Sequence, residues 1–376
     1  MTVYLDCNAT TPLDSRVREE VLRYLTEEFG NAGSRTHEYG ARANQAVQHA
    51  RDQIAGVVKA ERDEVIFTSG ATESNNLAIL GLVPYGKSAD RKHIISTMIE
   101  HKAVLEPLDA LAQQGFEITL VSPTRGGWVD PLAVRNALRK DTLLVSVMHV
   151  NNETGVVQPI PDLCEILTNH PVFLHVDAAQ GFGKEIAALQ NPRIDFISIS
   201  SHKIFGPKGV GALVARRRGF NRPPLTPLLF GGGQERGLRP GTLPVPLVAG
   251  FGLAAELALK EVHQRKEACQ TYRNIVLEAL KPLHPVMNGD PTRTLPHVLN
   301  LSFPNLDSEA LMIALKNIIA ISNGSACTSQ SYQPSHVLKA MGATDSIIQS
   351  AVRLSWSHLT EGPDWNEVAK IIERLY

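Results

Sequence analysis

Ile194-Asp195-Phe196-Ile197-Ser198-Ile199-Ser200-Ser201-His202-Lys203-Ile204-Phe205-Gly206-Pro207-Lys208-Gly209 joins an apolar run to a polar turn. Residues 194–199 read as a buried strand, and the turn that follows carries two hydroxyls, a histidine and a lysine. A lysine just beyond a strand can form an imine with a carbonyl cofactor, while hydroxyl and imidazole neighbours hold an anion. On its own, Ser-His-Lys reads more readily as a surface turn with an ordinary lysine. The rest of the chain has to decide.

Working outward, six further short apolar runs, at 65–68, 93–97, 118–121, 143–149, 172–176 and 211–215, are separated mostly by stretches of helical spacing. Such alternation predicts an α/β domain around a mainly parallel, seven-stranded sheet, with its ligand beyond the carboxyl ends of the strands. Polar residues gather at those ends: Ser69 to Glu73 after the first run, His101 after the second, Asn151, Asn152 and Glu153 after 143–149, Asp177 and Gln180 after 172–176. Helices are expected over 14–25, 41–58, 74–82, 245–280, 308–315 and 337–341, with further apolar runs at 297–303 and 318–322. The last region reads as a small α+β domain. We therefore expect a large domain over 15–260 and a small one from 1–14 with 261–376. The glycine-rich stretch 230–244 reads as an ordered loop, and Gly206 to Gly211 lacks the full phosphate-loop pattern.

Bulk composition excludes several classes. The 376 residues are 43% hydrophobic and 20% charged, and 37 basic against 38 acidic side chains leave a formal charge of −1, so no global basic field for nucleic acid exists. The first residues lack the layout of a secretory signal and no apolar run is long enough to span a bilayer, which predicts a cytoplasmic protein. Four scattered cysteines, Cys7, Cys164, Cys269 and Cys327, form no Cys-x-x-Cys pair and argue against a disulfide framework or a structural zinc site.

The polar residues at the strand ends match the demands of pyridoxal phosphate chemistry: a lysine for the aldehyde, a carboxylate for the ring nitrogen, an aromatic ring over its face, a helix start and small polar groups for the phosphate. Lys203, Asp177, His101, Thr72, Ser200 and His202 fill those positions. Taken singly, Asp177 could cap a helix, Thr72 could belong to an ordinary cap, and His101 could be a half-buried structural histidine. Their order and their shared placement favour one site.

Here a resemblance enters, carried by Leu-Asp-Cys-Asn-Ala-Thr-Thr-Pro (5–12), Thr-Ser-Gly-Ala-Thr-Glu-Ser-Asn-Asn (68–76), Glu-His-Lys-Ala-Val (100–104), His-Val-Asn-Asn-Glu-Thr-Gly (149–155), His-Val-Asp-Ala-Ala-Gln (175–180), Ser-Ser-His-Lys (200–203), Gly-Gly-Gly-Gln-Glu-Arg-Gly-Leu-Arg-Pro-Gly-Thr (231–242) and Asn-Gly-Ser-Ala-Cys-Thr-Ser (323–329). The chain resembles cysteine desulfurases of the NifS/IscS type, in the class V branch of fold-type I pyridoxal phosphate enzymes. The resemblance implies Lys203 as the lysine that bonds the cofactor, Asp177 at the ring nitrogen, Gln180 and Asn152 near the ring hydroxyl and substrate, and His101 stacked on the ring as proton handler. It implies Ala71, Thr72, Ser200 and His202 at the phosphate, Thr242 reaching the phosphate from the second subunit of a homodimer, and Arg353 on the substrate carboxylate. Cys327 would accept sulfur from L-cysteine as a persulfide, leaving alanine, and would pass it to an acceptor protein. The small neighbours Gly324, Ser325, Ala326, Thr328 and Ser329 suit an exposed, mobile loop.

Three departures qualify the likeness. Ser355-Trp356-Ser357-His358 stands where relatives read Ser-Leu-Gly-Arg, Gln234 stands where a histidine is common, and the chain ends at Tyr376 without the longer tail that housekeeping relatives use to dock an iron-sulfur scaffold. These features are compatible with the DndA-like branch that supplies sulfur for DNA phosphorothioate modification, with DNA met by partner proteins. Selenocysteine lyase activity, an ordinary aminotransferase and a non-catalytic, cofactor-bearing sulfur-delivery subunit are the alternatives.

Overall fold

The computed structural model describes residues 2–323 and 334–376. Its strands in chain order are β1 (Val3–Tyr4), β2 (Val65–Thr68), β3 (His93–Thr97), β4 (Glu117–Val121), β5 (Thr142–Met148) and β6 (Phe173–Asp177), followed by β7 (Phe196–Ser200), β8 (Gly211–Ala215), β9 (Val286–Met287), β10 (Val298–Ser302), β11 (Ile319–Ala320) and β12 (Ala351–Ser355). Seven of them form one sheet in the order β2-β8-β7-β6-β5-β3-β4. Only the two pairings made by β8 are antiparallel; the other four are parallel. The mainly parallel sheet expected from the strand-helix alternation is therefore present.

Both faces of this sheet are buried, which explains why its central strands read as continuous apolar runs rather than as alternating ones. Successive residues still divide between the two faces. Ile197 and Ile199 of β7 join Val145, Val176 and Val214 in one core, whereas Phe196 joins Leu144, Phe173 and Leu213 in another. The first face is covered by the helices Ser15–Thr26 and Glu38–Val58 and by the start of the helix Val245–Leu280; the second by Ala71–Leu80 and Lys102–Ala112.

At 36 residues the helix Val245–Leu280 is about 54 Å long and serves two cores. Its residues Val245 to Ala255 pack on the large sheet, while Cys269, Val276 and Leu280 pack with Leu299, Phe303, Trp356 and Trp365. That second core lies on the antiparallel sheet β12-β10-β9 and includes Leu5 beside the β1-β11 pair. Strand β12 has no counterpart in the sequence reading because it is short and has an arginine at its centre: Val352 and Leu354 face the core, while Arg353 faces the other way. Trp356, the main departure from the relatives' pattern, is 1% exposed, donates from Nε1 to the Cys269 carbonyl (3.1 Å) and meets Tyr272 edge-on.

Two helix starts lie three residues before the position expected from the spacing. The helix expected from 41 begins at Glu38, because His37 caps it by accepting from Gly40 N (3.2 Å). The helix expected from 74 begins at Ala71, so the turn Ala71-Thr72-Glu73 is its first coil. Within the glycine-rich loop, Glu235 accepts from Phe67 N (2.7 Å) and from the Arg51 guanidinium, and so covers the free side of the edge strand β2.

Candidate active site

The parallel strands bring their carboxyl ends to one edge, where they open on a cavity of about 520 Å³, within the range of small-molecule sites. Of the residues singled out in the sequence, Ala71, Thr72, His101, Asn152, Asp177, Gln180, Ser200, His202, Lys203 and Arg353 all line it. Thr242 does not: it is exposed and lies outside the cavity of its own chain. Cys327 lies outside the described residues.

Each wall is built by backbone as much as by side chains. Gly70 precedes the helix Ala71–Leu80, whose first intrahelical bond runs from Ser74 N to Gly70 O (3.1 Å). The amides of Ala71, Thr72 and Glu73 precede that bond and form the positive end of the helix dipole. Across the cavity, Asp177 ends β6 and is 5% exposed; its Oδ2 accepts from Asn75 Nδ2 (2.7 Å) and its Oδ1 from Ala179 N (3.0 Å), which holds the carboxylate in one orientation. Asp177 is the one carboxylate lining the cavity among the described residues, whereas Lys203, Lys208 and Arg353 all contribute positive charge.

Lys203 closes a turn stapled to the N-terminal arm. Its Nζ donates to the carbonyls of Asn8 (2.5 Å) and Ala9 (2.8 Å), and Thr11 bonds the His202 carbonyl through both N and Oγ1. Thr11 Oγ1 in turn accepts from Phe205 N (2.8 Å). His202 Nδ1 lies 3.1 Å from Thr10 Oγ1, and burial, with Lys203, Lys208 and Lys184 nearby, lowers its pKa to about 4, so the ring is neutral. His101 caps the helix Lys102–Ala112 by accepting from Ala103 N at Nδ1 (3.1 Å), which puts the proton of the neutral ring on Nε2. Arg353 Nη1 donates to the Asn152 carbonyl (3.0 Å) and Nη2 to Asp6 Oδ1 (2.5 Å). A substrate carboxylate at Arg353 would share the guanidinium with Asp6.

Sequence reading singled out no residue of the arm, yet Asn8 is a hub. Its N donates to Ser355 Oγ (2.9 Å), its Nδ2 to the Asn152 carbonyl (3.0 Å), and its own carbonyl accepts from Gln180 Nε2 (2.8 Å) as well as from Lys203. Asn75, which orients Asp177, was quoted within a motif without a role. Glu100 was missed as well. It is fully buried, accepts from Thr97 Oγ1 (2.6 Å) and Met148 N (2.9 Å), and has its pKa pushed up to about 8 by burial, with Asp177 adding to the rise. Only the strings Leu-Asp-Cys-Asn (5–8), Thr-Ser-Gly-Ala-Thr-Glu-Ser-Asn-Asn (68–76) and Glu-His-Lys (100–102) hint at these three residues, since each acts through contacts with other segments.

Residues 3–364 match the family model described as aminotransferase class-V. A cysteine desulfurase IscS of Vibrio cholerae is 46% identical over 364 residues, covering 96% of this chain and 89% of that protein. Among solved structures, DndA from Streptomyces lividans is 52% identical with a TM-score of 0.83, covering 93% of this chain and 98% of that one. SspA in complex with cysteine is 35% identical with a TM-score of 0.83, covering 94% and 98%. The chain belongs to the class-V aminotransferases, a family of pyridoxal phosphate enzymes, and within it to the cysteine desulfurases. The cavity fits that cofactor: its lining includes a helix N-terminus for a phosphate, a single oriented carboxylate for a ring nitrogen among the described residues, a lysine, and cationic side chains in excess.

Proposed function

We propose that this chain converts L-cysteine to L-alanine at the cavity and carries the sulfur away as a persulfide on Cys327. The observation that supports this best is the convergence of Lys203, Asp177, His101, Arg353 and the start of the helix Ala71–Leu80 on one cavity. Lys203 is the residue that bonds the cofactor; Ala71, Thr72, Ser200 and His202 hold its phosphate; Asp177 faces its ring nitrogen; Gln180 and Asn152 flank its ring hydroxyl and the substrate. When bound, pyridoxal phosphate supplies an aldehyde carbon for the substrate amine and a ring that draws electrons from the substrate. Arg353 grips the substrate carboxylate by charge-assisted hydrogen bonds, and His101 and Lys203 move protons beside the ring. The Cys327 thiolate attacks the substrate sulfur. An S–S bond forms as the carbon–sulfur bond breaks, the electron pair stays on carbon, and that carbon takes up a proton to give alanine. Cysteine plus Cys327–SH thus becomes alanine plus Cys327–S–SH.

Cys327→Ala tests the division of labour. The variant is expected to keep bound cofactor and to lose both protein-bound persulfide and desulfurase turnover, read by absorption, thiol labelling and alanine formation. Undiminished sulfide release would remove Cys327 from the mechanism.

For pathway, we favour delivery to a DNA-phosphorothioation component over an iron-sulfur scaffold or tRNA thiolation. The 52% identity to DndA supports this reading, and the 46% identity to IscS supports the alternative. Incubating the ³⁵S-persulfidated enzyme with each candidate acceptor decides, and transfer to the iron-sulfur scaffold alone would overturn the choice. We further propose a homodimer in which Thr242, exposed on its own subunit, reaches the partner's phosphate site. The division into 15–260 and 1–14 with 261–376 draws support from the change of core along the helix Val245–Leu280. No helix among the described residues is long and apolar enough to cross a membrane, and no cluster there could hold a metal ion.

A further inference from the structure

Behind the Gln180 wall of the active-site cavity, a second and smaller cavity of about 50 Å³ lies between the two cores. Cys7, Cys269, His297, Trp356 and Ser357 line it, together with Lys184. Among the described residues no carboxylate lines it, so no ion-pair partner there explains why a lysine is kept in such a place.

The hydrogen bonds supply an explanation. Lys184 Nζ donates to Gln180 Oε1 at 3.4 Å, Gln180 Nε2 donates to the Asn8 carbonyl at 2.8 Å, and the same carbonyl accepts from Lys203 Nζ. An ammonium offers only donors and a backbone carbonyl only acceptors, so a primary amide between them fits one way round. The reverse orientation would set N–H₂ against the ammonium and oxygen against the carbonyl. Gln180 is 5% exposed, and water offers little alternative to these partners.

We propose that Lys184 is a positioning residue that holds the Gln180 amide with Oε1 turned inward and Nε2 turned toward the Asn8 carbonyl beside Lys203. That places a donor where the ring hydroxyl of the cofactor belongs, and in this the inference rests on the cofactor site proposed above. The groups facing Lys184 are Lys203, His202, Cys7, Cys269 and His297, with Arg265, Lys266 and His358 also lining the small cavity. Burial, and secondarily the charge of Lys203, lowers the Lys184 pKa to about 8, consistent with an amine kept for its donors rather than for an ion pair.

The test uses holoenzymes of the wild type, Lys184→Met, Gln180→Ala and the double variant, and reads the pH midpoint of the visible absorption band of the bound cofactor. A cation and a donor aimed at the ring oxygen both oppose proton uptake, so Lys184→Met raises the midpoint, by about one pH unit for one charge-assisted hydrogen bond. In the Gln180→Ala background the same substitution adds no comparable shift, because the two residues act as a unit. An unchanged midpoint in Lys184→Met, or full additivity in the double variant, would overturn the proposal. Lys184→Gln keeps a donor toward Oε1 and should lie nearer the wild type; if Lys184→Met does not fold, additivity of Lys184→Gln with Gln180→Ala is the overturning result. A wild type that binds pyridoxal phosphate without a visible band, or that forms no alanine, would instead defeat the site assignment itself.

Discussion

Glu100 is a carboxylic acid at neutral pH, and nothing in its one-letter identity says so. Its pKa of about 8 arises because burial removes water from both oxygens and Asp177 disfavours a second negative charge nearby. The folded pKa is raised above the unfolded value of 4.5, so the native state holds an extra proton between those limits and stability falls as pH rises from about 4.5 to about 8. Glu100→Gln, nearly isosteric and always neutral, should remove that fall. Urea denaturation of the apoproteins at several pH values checks it; parallel profiles for the two proteins would mean that Glu100 is ionised when folded. Asp177 and Lys203 were legible in the sequence because their chemistry is tied to strand ends. Glu100, Asn8 and Lys184 were not, since their roles come from partners far away along the chain.

At the scale of elements, the start of the helix Ala71–Leu80, the proposed seat of the phosphate, depends on one close approach. A Cβ on Gly211 of β8 would stand 2.5 Å from the Ile199 carbonyl oxygen and 2.6 Å from Gly70 Cα, both of them backbone atoms. Gly211→Ala must push either β7 or the Gly70 turn aside, at about 1–3 kcal/mol, and the expected outcome is a lower melting temperature with weaker retention of cofactor. Gly56→Ala in the helix Glu38–Val58 is the control: a Cβ there meets nothing within 4 Å, and the substitution should be neutral or stabilising by about 0.5–1 kcal/mol. Equal melting temperatures for Gly211→Ala and the wild type would show that the strand yields without cost. Long periodic elements such as Val245–Leu280 could be read from spacing alone. The start of the helix Ala71–Leu80 could not, because Ala-Thr-Glu after Ser-Gly suits a turn or a first helical coil equally well, and β12 could not, because two apolar residues around an arginine make no visible run.

On the scale of the whole molecule, burial of histidine sets the response to acid. His149, His175, His202 and His358 are each lowered to about 4, and His297 lies well below its ordinary value, all chiefly through desolvation. His175 is held between Ser146 Oγ and Ser198 Oγ inside the sheet, while both ring nitrogens of His149 lack hydrogen-bond partners and Gly181 packs directly against its ring. The folded values are depressed, so the unfolded chain takes up more protons between about 6.5 and 4, and stability is lost as pH falls through that window. The apoprotein should therefore show a falling urea midpoint from pH 6.5 to pH 4. A flat profile across that range would mean that these histidines titrate normally in the folded chain.

The alternation of strands and helices in the large sheet, and with it the class of fold and the gathering of Lys203, Asp177, His101, Thr72, Ser200 and His202 at strand ends, followed from the sequence by itself, because apolar period and strand-end chemistry are local properties of a chain. Tertiary structure alone decided which groups share a dielectric and a hydrogen bond. It joined Asn8 to Lys203 across 195 positions, set Lys184 beneath Gln180, kept Glu100 protonated beside Asp177 and turned Trp356 into the second core. Those outcomes depend on burial and on contacts between distant segments, and neither is written in any local pattern.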